Sequence, residues 1–519
     1  MSRKLVNQVW AAMATRADLI YDLGTLPDLV ENAGTNPAMD SKNMVIFGRR
    51  GAGKTHTLLD LARRVRARGD VAVFIDMRRI SSNSGIYNDS KMAFGNRATN
   101  ILVDVIRDIH SELYRLGGLG ESAALASHLG DVGPALDELE RQITDVRVTG
   151  EITRTQSLAR KGASKIGERL GNKLGVVPTV QVRGEASAEE LGQSSETARG
   201  EYHAYIHLGS LDRAVRSLVE AMGGARLWVL VDEWSEGVPY DLQPVLADML
   251  RRTFMRVGKV TVKIAAIEHR SRFLEVGKGG SRVGLKLGSD TAENLDLDAA
   301  LAITTDPRAV IPFIRNILTE HYLAQQESTE GARSDPQIDP VSTSFSSNSF
   351  EALVLASEGN PRDALNLAAK AARRAGDGVI GLDDVLRGSS DYFWHTKYKN
   401  IEGIPDLTKT FAMFMNLSRE RQRRTVLFPR QSEYRAHVDA LYDARLLHLL
   451  RSGLLAPDGE GMFDAYAVDF GSYAELILSR AMSWRNDGWF SMHSFTLNSD
   501  AESWEESIVR KRRSSRKAR

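Results

Sequence analysis

The residues best placed to do chemistry stand in one octet, Gly48-Arg49-Arg50-Gly51-Ala52-Gly53-Lys54-Thr55, with His56 directly after it. The octet matches G-x-x-x-x-G-K-[ST] at every fixed position. Gly48, Gly51 and Gly53 let the backbone turn tightly and bring its N–H groups within reach of phosphate oxygens, an approach that a Cβ would obstruct. Lys54 supplies a mobile charge for the β- and γ-phosphates, and Thr55 places a hydroxyl where a Mg²⁺ ion bridging them needs a ligand. The helix that starts here aims its positive end at the anion. The chemistry indicated is ATP binding with Mg²⁺, with residues 48 to 56 as the contact set.

A second string, Leu227-Trp228-Val229-Leu230-Val231-Asp232-Glu233, delivers two carboxylates to the end of an apolar run. Next to a nucleotide, the first acid serves the metal and the second accepts a proton from the attacking water. Asp232 is thus a metal candidate and Glu233 a general-base candidate. Without the octet, the same string would describe only a strand meeting a polar loop.

Elements of fitting type position both strings. Met44–Phe47 is a short continuous apolar run, as expected of a strand buried on both faces of a parallel sheet. After it, Leu58, Leu61, Ala62 and Val65 recur at helical spacing, and Gly69 ends the run. Further strands are expected at Val71–Ile75, Val260–Ile267 and Val283–Leu287, with helices near Ala98–Leu116, Leu211–Met222, Leu242–Met255 and Ala309–Leu323. Asp76, ending the second strand, either touches the nucleotide or caps the following turn. Residues 118 to 210 interrupt the alternation and read as an insertion, with a helix at Ala135–Val146, a basic stretch from Arg154 to Lys173, and strands at Val177–Val182 and Ala204–Leu208. Residues 324 to 348 are polar and rich in Ser, which predicts a mobile loop. Residues 1 to 43 offer helices near Leu5–Arg16 and Leu26–Ala33.

Composition bounds the rest. The chain has 519 residues, 42% hydrophobic and 26% charged, enough for several domains with proper cores. It has no cysteine, which excludes disulfides, Cys-ligated zinc and cysteine nucleophiles and suits a reducing cytosol. No apolar run approaches the ~20 residues of a membrane helix, so the expectation is a soluble, cytoplasmic protein without membrane contact. The net charge of +1 conceals an asymmetry, because residues 510 to 519 are strongly basic and leave the body acidic.

Three stretches together resemble the AAA+ ATPases, within them the branch of replication-origin initiators and STAND NTPases. They are Gly48 to Thr55, Asp232-Glu233, and Gly359-Asn360-Pro361-Arg362, the last similar to the lid's sensor-2 turn. The resemblance covers roughly residues 44 to 390 without the insertion. It implies that Arg362 reaches the γ-phosphate and that an arginine near the last core strand serves a neighbouring subunit as a finger. Arg282 has that position, with Arg270 and Arg272 as competitors. Where the family has a sensor-1 Asn, Ser or Thr, this chain has Glu268-His269, a departure from the pattern. The fold implied is α/β, a P-loop parallel sheet of the ASCE/AAA+ kind with a helical lid, followed by a C-terminal winged-helix domain.

The organisation expected is an N-terminal segment 1–43, a nucleotide-binding core 44–305, a lid 306–388, a winged-helix-like domain 389–485 and a basic tail 486–519. In the fourth of these, Val438, Leu441, Tyr442, Leu446, Leu449 and Leu450 suggest one helix ended by Gly453, with a turn at Pro457–Gly461 between two strands. Arg419, Arg421, Arg423, Arg424, Arg430 and Arg435 could hold phosphates, whereas winged helices also dock proteins. Two functions follow from the resemblance. One is an ATP-hydrolysing enzyme whose nucleotide state controls an assembly, homo-oligomeric or with another protein, or a grip on DNA. The other is a slowly hydrolysing signalling switch of the STAND type.

Overall fold

The computed structural model describes residues 3–16, 26–30, 36–80, 93–143, 146–149, 201–204, 206–277, 280–298, 307–330, 339–421, 423–455 and 461–482. The basic stretch from Arg154 to Lys173, the strand expected at Val177–Val182 and the tail lie outside these residues. The architecture is α/β. Its largest sheet holds β1 (Met44–Phe47), β2 (Val71–Asp76), β3 (Leu227–Asp232), β4 (Val260–Ala266) and β5 (Leu295–Asp296), in the order β2-β3-β4-β1-β5. β2–β3 and β3–β4 pair in parallel. β1, β3 and β4 are buried at every residue: β1 and the first five residues of β3 are unbroken apolar runs, as strands covered on both faces require, while β4 carries Thr261 and Lys263 within its run.

The chain forms two compact units: Met1–Met39, Phe47–Asp60 and Leu295–Arg519 in the first, Asp40–Ile46 and Leu61–Asn294 in the second. In the second, helices Phe94–Gly118, Leu129–Ile143, Leu208–Ala221 and Gln243–Thr253 bury apolar stripes. The entry to β1 is fixed by polar groups of β4: Lys263, buried in mid-strand, donates from Nζ to Asp40 O at 2.7 Å, and Val262 N donates to Asn43 Oδ1 at 2.9 Å. In the expected insertion, Val146–Thr149 and Glu201–Ala204 pair antiparallel.

In the first unit one hydrophobic cluster runs from Trp10 through Ile314, Leu353 and Ala368 to Phe414, Phe428 and Tyr466. The N-terminal helix (Arg3–Arg16), the helices of the expected lid and the C-terminal sheet therefore share a core. Trp10 meets Phe345 edge-on at 5.2 Å and donates from Nε1 to Ser344 Oγ at 2.8 Å. The C-terminal part runs helix Pro405–Arg421, strand Thr425–Pro429, helix Arg435–Asp443 and strands Leu447–Leu455 and Met462–Val468, the last strand lying central in an antiparallel sheet.

Several expectations are corrected. The stripe from Val438 to Leu450 is not one helix ended by Gly453: the helix stops at Asp443, Arg445 takes φ +60°, and a strand containing Gly453 begins at Leu447. A left-handed arginine is uncommon, and here its guanidinium is drawn to the buried Asp363. The polar run from residue 324 is not wholly loop, because helix Pro307–Glu330 continues into it and Pro340–Ser344 is helical. The strand expected at Val283–Leu287 spans Arg282–Gly284 and pairs with Leu274–Val276 in a separate hairpin. Residues 26 to 30 are not helical.

The arginine cluster is also revised. Arg430 and Arg435 both engage Asp464, at 2.8 and 2.7 Å, and Arg424 is buried against the Glu358 carboxylate. Arg419 and Arg423 are exposed. Removing one partner of a buried ion pair costs about 3–5 kcal/mol, because the other charge stays buried. Arg424→Ala should therefore lower unfolding free energy by about 3 kcal/mol or more, while Arg423→Ala stays within about 0.5 kcal/mol of wild type. Urea denaturation of the two variants measures this, and equal midpoints would contradict the assignment.

Candidate functional site

The loop after β1 has the conformation that its glycines allow. Gly51 and Gly53 have φ of +84° and +95°, and helix Lys54–Ala67 starts at the lysine. Its first turn is tied back by Thr57, which donates to Gly53 O from N at 2.8 Å and from Oγ1 at 3.0 Å. Lys54 Nζ donates to Gly48 O at 2.7 Å and Arg49 O at 3.1 Å, so the ammonium lies across the mouth of its own loop. A Cβ built on Gly53 would meet nothing within 4 Å, which leaves an open cradle lined by backbone. A triphosphate fits that cradle: a concave loop, a cation at its mouth and, at the helix start, the half-buried hydroxyl-bearing Thr55. His56 Nε2 lies 3.0 Å from Pro27 O.

The turn Gly359–Arg362 packs on this loop. Asn360 Nδ2 donates to Arg50 O at 2.8 Å, and Arg362 N donates to Gly51 O at 3.3 Å. Asn360 also caps helix Pro361–Ala375 by accepting from Asp363 N at 3.2 Å. The approach is close enough that a Cβ on Gly51 would fall 2.5 Å from Asn360 Oδ1 and 2.7 Å from Arg362 Cβ.

Arg49 turns away from the cradle. Its guanidinium donates to Glu358 O at 2.6 Å and to His448 Nδ1 at 2.9 Å, and lies 3.3 Å from Asp298, whose other oxygen accepts from Arg49 N at 2.6 Å. Since arginine only donates, His448 Nδ1 is the acceptor and Nε2–H faces Asp469 Oδ2 at 2.8 Å, which is the neutral imidazole. Asp469 meets Lys397 at 2.6 Å, and Lys397 meets Asp363 at 2.8 Å. With Asn360 the contacts close into a ring that starts and ends on the loop. Burial pushes Asp363 up, but Arg445 and Lys397 outweigh it and hold the carboxyl well below the usual range. Asp469 is likewise held low, by Lys397 and His448 against burial. Burial lowers His448, which keeps it neutral.

The second unit holds the carboxylates. Asp76 and Asp232 are register partners at the ends of β2 and β3, and Asp232 is buried. Glu233 follows at φ +55°, a conformation that a non-glycine residue adopts under constraint. Arg78 joins the group: it donates from N to Asp76 Oδ1 at 3.0 Å, pairs with Asp76 Oδ2 at 2.9 Å and lies 3.4 Å from Glu233 Oε1. Asp76 thus caps its turn and holds the arginine that faces Glu233. Arg282 stands exposed on the Leu274–Val276/Arg282–Gly284 hairpin, apart from the large sheet. After β4, Ser235 and Ser271 share a 2.8 Å hydrogen bond, and Ile267 N donates to Ser235 Oγ at 2.6 Å.

The structure thus brings Gly48–Lys54 and Arg362 together in one unit, and Asp232 and Glu233 in the other. Sequence reasoning missed the role of the Arg49 side chain, and it missed His448, Lys397, Asp469 and Arg78. The only local signal was the Asn-Pro pair at Asn360-Pro361, which marks a helix start.

Among solved structures, a Walker-type ATPase of Pyrococcus abyssi is similar to this chain at a TM-score of 0.37 and 10% identity, over 84% of this chain and 90% of that one. No protein-family model and no curated protein matches the sequence. Among the described residues no helix is long and apolar enough to cross a membrane.

Gly51→Ala should separate the loop from the 360–362 turn. Overpacking of this kind costs about 1–3 kcal/mol, and the positive φ adds to it. Thermal unfolding should register that loss, and calorimetric titration should show ATP affinity falling by roughly tenfold or more, equivalent to ~1.4 kcal/mol. A variant with wild-type melting and affinity would refute the close approach.

Proposed function

We propose that the chain is a Mg²⁺-dependent AAA+ ATPase whose nucleotide state controls the assembly or engagement of a partner. The observation that carries this reading is the Gly48–Thr55 loop between a buried strand and a helix, with Lys54 across its mouth. Lys54 exchanges the Gly48 and Arg49 carbonyls for β- and γ-phosphate oxygens, and the loop N–H groups hold the rest of the polyphosphate. Thr55 and Asp232 are the residues that would hold Mg²⁺, which when bound neutralises charge on the phosphates. Glu233 takes the proton from the attacking water once it is released from Arg78, which lies 3.4 Å from its carboxylate. Arg362 offers its guanidinium to the γ-phosphate, and Arg282, on an exposed hairpin, is the candidate finger toward a neighbouring subunit.

The run of helix, strand, helix and two strands from Pro405 to Val468 supports the winged-helix reading. DNA is one partner for it, through Arg419 and Arg423. A second reading, a nucleotide-gated signalling switch of the STAND type, is favoured by two observations. Arg424, Arg430 and Arg435 are held by carboxylates, and Leu455 and Met462, partners across the strand pair, are exposed. Those features suit a protein partner more than a phosphate backbone.

Glu233→Gln should bind ATP as wild type does but cleave it at least about a hundredfold more slowly, the usual weight of a positioned base. Lys54→Ala should lose tight binding. Titration and single-turnover hydrolysis separate these effects, and unchanged cleavage in the glutamine variant would remove Glu233 from the mechanism. Steady-state turnover with and without DNA decides between the readings: stimulation supports the DNA-engaging ATPase, and slow, DNA-indifferent turnover supports the switch.

A further inference from the structure

The buried ring leaves the phosphate loop at Arg49 and returns to it at Arg50. Structural need alone would be met by an apolar contact at this place, since a buried ion pair adds little net stability over hydrophobic residues. What the ring does supply is direction. The Arg49 guanidinium engages Glu358 O, His448 Nδ1 and Asp298 together, and Asp298 also accepts from Arg49 N, so the side chain and the backbone of the residue between Gly48 and Arg50 are held by the same partners. The Gly48 and Arg49 carbonyls on which Lys54 rests are thereby fixed as well.

We propose that Arg49 and His448 are positioning residues, through which the C-terminal sheet holds the phosphate loop in its nucleotide-accepting shape. This rests on the reading of the loop as a nucleotide site. A loop already held in shape loses less freedom on binding, so affinity is gained without a contact to the ligand. His448 makes the hold conditional on its protonation. Neutral, it accepts from Arg49 and donates to Asp469. Protonated, both ring nitrogens donate, and Nδ1–H then opposes the guanidinium at hydrogen-bond distance.

The charged groups facing His448 are Arg49 from the loop, Glu358 from the turn before Asn360, and Asp469 from the end of strand Met462–Val468, with Lys397 and Asp363 behind Asp469. The net effect of burial and these groups is a depressed folded-state value, so the neutral clamp is fully present above the ordinary histidine value of about 6.5 and is lost as pH falls through the lower folded value.

The test uses the full chain in three forms: wild type, His448→Ala and His448→Gln, whose amide can accept from Arg49 and donate to Asp469 but does not titrate. ATP affinity with Mg²⁺ is measured by calorimetry from about pH 8 down to about pH 5, bracketing the histidine range. Melting curves identify the pH at which each form is folded. Loop amide hydrogen exchange without nucleotide gives a readout independent of binding. The proposal expects His448→Ala to bind ATP at least about tenfold more weakly at pH 8, a loss of ~1.4 kcal/mol, with faster exchange at residues 48 to 53. It expects the glutamine variant to bind like wild type at pH 8 and to keep its affinity where wild type loses it. A folded His448→Ala variant with wild-type affinity and exchange overturns the proposal, as does a glutamine variant that follows the wild-type pH profile. If Lys54→Ala binds ATP as well as wild type does, or wild type does not bind it, the nucleotide reading fails first. Loop exchange then decides the clamp alone.

Discussion

Lys397 lies between Asp363 and Asp469, with all three side chains almost wholly removed from water. Each charge alone would be too costly to bury, and each is tolerable only with its partners in place. That condition reaches through the unit. Asp363 comes from the first turn of helix Pro361–Ala375, Lys397 from the segment after helix Leu382–Tyr392, and Asp469 from the end of the central C-terminal strand. Tyr392 and Arg445 complete the coordination of Asp363, the former donating at 3.0 Å. Arg445 reaches it from a left-handed turn just after the helix that ends at Asp443 and before the strand that begins at Leu447. The helices from Pro361 to Tyr392 and the C-terminal sheet are thus joined by charge as well as by one apolar core.

The same cluster gives the phosphate loop its surroundings. Through His448 and Asn360 it reaches Arg49 and Arg50, and the loop is braced from the C-terminal region as well as from the strand and helix on either side. Left-handed non-glycine residues mark two of the places where this matters: Glu358 at the turn that accepts from Arg49, and Arg445 at Asp363. Such conformations persist only where the surroundings over-determine them. At Glu358 the means is visible, since its carboxylate is locked to Arg424 while its carbonyl holds the loop arginine.

Much of the α/β unit was legible because its signals are local. Met44–Phe47 and Leu227–Val231 are continuous apolar runs, and Val260–Ile267 is apolar apart from Thr261 and Lys263; runs of that length beside glycine-rich loops fit strands buried on both faces. The octet matches a nucleotide-binding pattern at every fixed position. Illegible were contacts between residues hundreds of positions apart, such as Arg49 with His448, because neither residue type nor spacing records a partner that far away. The arginines from Arg419 to Arg435 looked like a phosphate-binding face, yet Arg424, Arg430 and Arg435 are paired to Glu358 and Asp464, which charge counting cannot anticipate. Residues 324 to 330 were misread because a polar stretch at the end of a long helix has the composition of a loop.

The central claim is that the phosphate loop and the C-terminal ionic cluster form one energetic unit. Coupling of this kind is reciprocal: if the cluster shapes the loop, a ligand on the loop must change the stability of the cluster. Amide hydrogen exchange of the full chain, with and without saturating Mg²⁺ and ATP, measures it directly. The account predicts slower exchange on nucleotide binding at the loop and also around Glu358–Asp363 and Leu446–Asp469. Protection confined to residues 48 to 57, with the C-terminal sheet unchanged, would contradict it.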